Sequence, residues 1–258
     1  MELKTVIITQ ARTGSQRLPD KVLIKVAGKT FLQIHTERLQ KVKNADEIII
    51  ATSVNENDIR IVKEAERLGI NCCRGSEQDV LARFYAASKN TNADIIVRVT
   101  ADCPFIDPLL IEDMIDYFKE HNFDFITNTF EYTYPDGIDV EIMSFFALEK
   151  AYYEASAKSD REHVTPYIRK NSNLKNGDMF KAFNYLNPLP TIELCRLTLD
   201  EPADLQVLST LIDVLGFEKH WQEYNQYLIN NPILNKLNKN IPTNEGYDKS
   251  LKQDEIYN

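Results

Sequence analysis

A chain of 258 residues is long enough to enclose one large hydrophobic core, and its 43% hydrophobic and 27% charged residues exclude a collagenous or wholly disordered polymer. The formal net charge of −9 disfavours broad electrostatic attraction to nucleic acid or an anionic membrane, both of which need a basic face, so neither is expected as a partner and any basic site must be local. Met1 leads directly into a strand-like segment without the successive regions of a secretory leader, and no apolar run nears the ~20 residues of a membrane span, which makes the cytoplasm the expected compartment.

The first half of the chain alternates short β-rich runs with amphipathic helical stretches, the pattern of βαβ units around a mainly parallel sheet. Strands are predicted over residues 5–10, 47–52, 70–73, 94–100 and 124–127, with helices between them. Cys72 and Cys73, at the end of the third strand, read as reduced thiols, because none of the four cysteines has the paired spacing of a zinc or dithiol site. Leu110, Met114, Ile115 and Phe118 recur at helical spacing, and Asp107 before Pro108 is the expected cap of that helix.

After residue 128 the alternation breaks. A loop over 128–137, followed by a strand over 138–143, reads as an insertion rather than another βαβ unit. Tyr132 and Tyr134 in that loop form either an exposed aromatic patch or a flap over a ligand. Helices are expected over 145–156 and about 160–169, then a strand over 180–184. A last helix over 201–215 carries Leu205, Leu208, Ile212 and Leu215 on one stripe and closes a main domain of residues 1–216. Residues 217–258, rich in Asn and Lys, read as a helical extension ending in a mobile tail.

Ligands of an open parallel sheet gather beyond the carboxyl ends of its strands. The loop after the first strand places Arg12, Arg17 and Lys21 beside Thr13, Gly14 and Ser15, a composition suited to a polyphosphate, although a merely solvated loop would look similar. It matches neither Walker A nor Gly-x-Gly-x-x-Gly, which argues against a P-loop NTPase and a classical dinucleotide site. Asp102 closes the strand over 94–100 next to Pro104, a position suited to a hard-cation ligand. Asp200 lies between a strand end and a helix start, where a helix cap and a metal ligand are both open readings.

Seven segments stand in order between Ile8 and Leu205: ITQARTGSQRLPDKVL, ATSVNENDIRIV, RGSEQDVLARF, VRVTADCPFIDP, PDGIDVEIM, REHVTPYIRK and RLTLDEPADL, carrying a likeness that covers roughly residues 5–215. Together they resemble the cytidylyltransferase family that includes CMP-KDO synthetase and CMP-sialic acid synthetase, and within it the branch called spore coat polysaccharide biosynthesis protein F. The resemblance implies an α/β, Rossmann-like nucleotidyltransferase fold related to the GT-A glycosyltransferases, with a mainly parallel central sheet flanked by helices and an inserted acceptor and dimerisation region at about 128–185. It implies a homodimer that transfers CMP from CTP to a sugar or sugar-acid acceptor with Mg²⁺, in surface polysaccharide or glycoconjugate biosynthesis.

Carried over by position, Arg12 and Lys21 would hold the triphosphate, and Asp102 and Asp200 would coordinate Mg²⁺. Gln10, Ala11, Thr13, Gly14, Ser15, Arg74, Ser76 and Thr100 would surround base and ribose. Asp136, Asp139, Glu141, Arg161, Glu162 and His163 would face the acceptor or the dimer contact. Ala101 stands where the octulosonic-acid synthetases carry Gly. Competing readings are another nucleotidyltransferase acting on a sugar 1-phosphate, a nucleotide-sugar glycosyltransferase, whose Asp-X-Asp motif this sequence lacks, and a catalytically silent subunit.

Overall fold

The computed structural model describes residues 3–188, 193–243 and 245–257. Its centre is β1 (Thr5–Gln10), whose β-branched run Thr-Val-Ile-Ile-Thr is buried on both faces. Val6 and Ile8 point into one core with Phe84, Ile96 and Leu148, while Ile7 points into the other with Phe31, Val97 and Ile115. This two-sided burial fixes the register, since a one-residue slip would exchange the two cores.

The chain continues through the hairpin β2 (Lys25–Val26) and β3 (Lys29–Thr30) into α1 (Phe31–Leu39), which Thr30 caps by accepting from Gln33 N at 3.0 Å. Then follow β4 (Glu47–Ser53), α2 (Ile59–Leu68), β5 (Asn71–Gly75), α3 (Val80–Thr91) and β6 (Ile95–Thr100). The Asp79 side chain caps α3. In α4 (Pro108–His121), Asp107 caps as its sequence position predicts, accepting from Leu109 N at 3.0 Å.

A seven-stranded sheet runs in the order β5-β4-β1-β6-β8-β7-β9, completed by β7 (Phe125–Thr127), β8 (Glu141–Ser144) and β9 (Ala182–Asn184). β1, β4, β5 and β6 are mutually parallel, so their carboxyl ends share one edge. β8 runs antiparallel to β6, with Glu141 opposite Arg98. Reversal of that one strand brings the residues that precede β8 to the edge where β1 and β6 end. The inserted segment is thereby delivered to the site.

Some elements differ from the sequence reading. The strand expected from residue 138 begins at Glu141, because the Asn128 side chain takes the place of a neighbouring strand: it donates to Ile138 O at 2.7 Å and accepts from Val140 N at 2.8 Å. After α5 (Phe145–Glu154), the single helix expected over 160–169 is two, α6 (Lys158–His163) and α7 (Pro166–Lys170). Pro166 cannot continue a helical hydrogen-bond ladder, and Val164 turns the chain at φ 71°. Tyr134 is neither exposed patch nor flap, being 4% exposed and packed edge-on against Trp221.

α8 (Pro202–Leu215) lays Val207, Leu208, Leu211 and Ile212 on the core, where Trp221, Tyr224 and Leu228 of α9 (Trp221–Asn230) join them. α10 (Pro232–Asn235) follows. Where the sequence reading expects a mobile tail, α11 (Glu245–Tyr257) lies against α6, with Lys158 donating to Gln253 at 2.6 Å and Ser159 N donating to Asp254 at 3.2 Å.

His35 ties three of these elements together. Its Nδ1 bonds Cys103 O and its Nε2 bonds the Thr9 hydroxyl, each at 2.9 Å, so α1 holds both β1 and the loop after β6. Burial lowers the His35 pKa to about 4, whereas an unfolded imidazole titrates near 6.5. Between those values the unfolded chain binds more protons, so this contribution to stability falls as pH drops from about 6.5 towards 4. The urea-unfolding stability of the protein relative to His35→Gln should shrink by about 2 kcal/mol on going from neutral pH to about pH 5. A pH-independent difference would show that His35 does not stay neutral in the folded chain.

Candidate active site

The loop that leaves β1 is held from below by one carboxylate. Asp58 accepts from Thr13 N at 2.8 Å and from Thr13 Oγ1 at 2.7 Å, and its other oxygen takes the Ser53 hydroxyl. These bonds keep Asp58 below the usual carboxylate range although burial pushes the other way. With Thr13 pinned, Ser15 N and Asp20 N both turn back onto Thr13 O. Among the described residues the backbone N–H groups of Arg12 and Gly14 make no hydrogen bond, and the exposed Arg12 guanidinium has no hydrogen-bond or ion-pair partner. Free donors on a rigid turn beside a free cation suit an anion. Sequence reasoning passed over Asp58, which lies in a quoted segment but reads there as an ordinary helix-start residue.

At the end of this loop Lys21 turns inward and is 8% exposed. Its Nζ donates to Asp102 Oδ2 and to Asp200 Oδ1, both at 2.7 Å. Two carboxylates 98 positions apart in sequence therefore meet on one ammonium. The backbone reinforces the meeting, since Leu199 N donates to Asp102 O at 2.8 Å. Burial alone would lower the Lys21 pKa, but the two carboxylates outweigh it and raise it; burial would likewise raise that of Asp102, and Lys21 holds it low.

Asp200 is not the cap of α8. That role belongs to Glu201 and Asp204, which form a reciprocal capping box with Pro202 at the first helical position. Asp204 also accepts from Arg196 Nε at 2.9 Å, from Asp200 N at 2.9 Å and from Asn238 Nδ2 at 3.0 Å. Arg196, 5% exposed, reaches Asp136 at 2.6 Å and Asp200 at 3.2 Å with the rest of its guanidinium. One planar fork thus holds three aspartates, an arrangement a lysine could not reproduce.

On the far side, Gly137 at φ +103° lets its loop lie on the chain around Leu197, where an added Cβ would come within 2.5 Å of Leu197 C. Asp136 and Asp139 flank this turn. Burial pushes Asp136 up to about 6 despite Arg196, and pushes Asp139 up to about 8, helped by neighbouring Asp136 and Glu141. Asp139 makes no hydrogen bond or ion pair among the described residues. Glu141 is the opposite case, saturated by Arg98, by Arg169 at 2.8 Å and by Thr165 at 2.7 Å, so it braces the wall. Gln10 accepts from Arg98 at 3.1 Å, and Thr100, its register partner, contacts Cys103.

The remaining candidates are engaged in other contacts. Arg74 donates to Ser53 O and Asn55 O, each at 3.0 Å, across the end of β4, and Ser76 accepts from Asp79 N at 3.1 Å. Ala11 N donates to Ala51 O at 3.1 Å. Arg161 is spent on both oxygens of Asp79 and on Tyr152 O, fastening α6 to α3. Glu162 and His163 share the Ser250 hydroxyl of α11, at 2.9 and 3.0 Å, and burial lowers the His163 pKa. Glu245, opening the same helix, meets Arg17 at 2.9 Å.

A family model described as cytidylyltransferase matches residues 6–246. The chain belongs to the cytidylyltransferase family. It is 40% identical over 248 residues to the uncharacterized protein MJ1063 of Methanocaldococcus jannaschii, covering 93% of this chain and 96% of the relative. It is 31% identical over 222 residues to the spore coat polysaccharide biosynthesis protein SpsF of Bacillus subtilis, covering 82% of this chain and 87% of that protein. A solved cytidylyltransferase from Leptospira borgpetersenii superposes with a TM-score of 0.84 at 32% identity, over 93% of this chain and 99% of that one. The α/β fold with its mainly parallel sheet and the assignment as a nucleotidyltransferase enzyme follow from these matches. No helix among the described residues is long and apolar enough to cross a membrane.

The enzyme's carboxylate pair supplies hard oxygen donors of the kind a magnesium ion takes. Among the described residues no group of three or more His, Cys, Asp or Glu forms a fuller cage. A divalent ion there must complete its shell from a ligand's phosphates and water, which is the usual condition for Mg²⁺ at a nucleotide site. Arg196→Met should lower stability by about 3–5 kcal/mol in urea unfolding, because it leaves the buried Asp204 and its neighbours without their counter-ion. A loss below about 1 kcal/mol would show that the three aspartates do not depend on it.

Proposed function

We propose that the enzyme transfers CMP from CTP to a sugar or sugar-acid acceptor and releases pyrophosphate, in assembly of a surface polysaccharide. The observation that carries this reading is the convergence of Asp102, Asp200 and Lys21 beside the anion-ready loop of Arg12 and Gly14. A glycosyltransferase needs no such cluster of loop cations for a triphosphate, and a silent subunit would have no reason to bury one.

In this reading Arg12, the backbone amides and Lys21 bind the triphosphate, while the region around Arg74, Ser76 and Thr100 receives the nucleoside. The acceptor lies against Asp136 and Asp139. Its oxygen attacks the α-phosphorus in line, the bond from that phosphorus to the bridging oxygen breaks, and pyrophosphate departs with its charge held by Arg12 and Lys21. Mg²⁺ on Asp102 and Asp200 would supply charge neutralisation at the phosphate oxygens. For a hydroxyl acceptor the proton goes to Asp139, a carboxylate without a hydrogen bond or ion pair among the described residues; because burial pushes its pKa up to about 8, it accepts only in its ionised form, and turnover rises as pH increases through that value.

With Mg²⁺ present, CTP should raise the melting temperature more than ATP, GTP or UTP, since a ligand bound only by the native state stabilises by mass action. A larger shift with GTP would remove the cytidylyl reading. Pyrophosphate release should then be screened over nonulosonic acids, octulosonic acids and sugar 1-phosphates. With the acceptor that responds, Asp102→Asn and Asp200→Asn should each cost about a hundredfold or more, and the double variant little beyond either single one. An active Asp200→Asn enzyme would refute a shared role, because Asp200 does not cap α8.

A further inference from the structure

Lys21 fills the gap between the two carboxylates a metal would need. Its ammonium is equidistant from Asp102 Oδ2 and Asp200 Oδ1 at 2.7 Å and nearly sealed from water. The two aspartates depend on it unequally. Asp200 also meets Arg196 at 3.2 Å and Arg17 at 3.5 Å, whereas Lys21 is the only cation paired with Asp102 among the described residues. Arg196 is locked in place by Asp136 and Asp204, but Lys21 carries a flexible four-carbon stem on a single 3₁₀ turn, Lys21–Leu23. Of the two buried cations on the pair, Lys21 is the one that can leave.

A bare divalent ion entering this pair must lose much of its hydration and also displace a buried ammonium that is hydrogen-bonded to both carboxylates. A triphosphate changes that balance, because its oxygens offer the ammonium a new partner beside Arg12 while the carboxylates become free for the metal. We propose that Lys21 is a resident counter-ion that keeps the Asp102–Asp200 pair closed to free divalent cations, and that a triphosphate opens the pair by taking the ammonium. The site then accepts metal and nucleotide as one complex. This rests on the triphosphate-binding reading above and adds to it the form in which the substrate arrives. By linkage, whatever the triphosphate does for metal affinity the metal must do equally for triphosphate affinity.

The test uses Mn²⁺ as the probe, with free Mn²⁺ followed by electron paramagnetic resonance and no nucleotide present. Lys21→Met should bind Mn²⁺ at least about tenfold more tightly than the unaltered enzyme, a difference of about 1.4 kcal/mol. Lys21→Arg, which keeps the charge, should bind it weakly, as the unaltered enzyme does. Equal Mn²⁺ affinity in all three proteins would overturn the proposal.

Because Lys21→Met leaves two carboxylates face to face and could fail to fold, a second measurement uses the unaltered chain with ¹⁵N-labelled lysine. The Lys21 ammonium resonance, identified by its absence in Lys21→Arg, should stay in place when Mg²⁺ is added alone and move when Mg²⁺ and inorganic tripolyphosphate are added together. Movement with Mg²⁺ alone, or none with both, would overturn it. Failure of CTP to bind while tripolyphosphate still moves the resonance would instead remove the proposed reaction and leave the counter-ion role standing.

Discussion

Negative charge gathered at the carboxyl edge of a sheet is the constraint around which this protein is organised. Asp102, Asp136, Asp139, Asp200 and Asp204 converge there, and such a cluster is stable only if cations are fixed among them. Arg196 is the cation on which the rest depends. Its planar group sets the spacing of three aspartates, and the Asp204 it holds is the same residue that closes the capping box of α8 and receives Asn238 from beyond α10. Helix start, loop position and carboxylate orientation are thus one solved electrostatic problem. The cost of solving it was visible in no single residue.

The central strands were legible because burial on both faces writes itself into sequence as continuous β-branched runs. The Asp107 cap was legible because proline after a short acid has few other meanings. Asp102 and Asp200 could be singled out because each follows a strand-like segment, and the structure sets them on one ammonium. Arg196 was missed, although it stands in a segment that carries two of its aspartates, since the stretch before Asp200 is not a strand but an extended run with one isolated bridge, from Arg196 to Asp136, and has no periodicity to mark it. Tyr134 misled for the converse reason: a Tyr- and Pro-containing loop looks exposed, and only α9, nearly ninety residues later, supplies the Trp221 surface that buries it.

Asn128 and Val164 show how local chemistry overrides pattern. The run from Ile138 to Met143 has strand composition, yet a side-chain amide from the preceding loop takes up the backbone groups of its first residues and postpones the ladder to Glu141. At Val164 a β-branched residue adopts a left-handed backbone that its type disfavours, and it is completely buried. The kink turns α7 so that Arg169 and Thr165 reach Glu141. Strain of this kind persists only where surrounding contacts enforce it, and here it serves the wall that the sheet's one reversed partner of β6 brings to the site.

The helix Glu245–Tyr257 has a practical bearing on how the enzyme is handled. It starts against Arg17 of the loop after β1 and lies along α6, touching Glu162 and His163 through Ser250. A purification tag or fluorescent fusion on that end would load a helix whose first residue, about 18 Å away, holds Arg17, so it would disturb that contact through the helix rather than by touching it. β1 enters the sheet from the opposite edge, so a fusion placed before Thr5 leaves from the edge remote from Lys21, Asp102 and Asp200. Choosing the amino-terminal side for immobilisation, labelling or display leaves the cleft unencumbered.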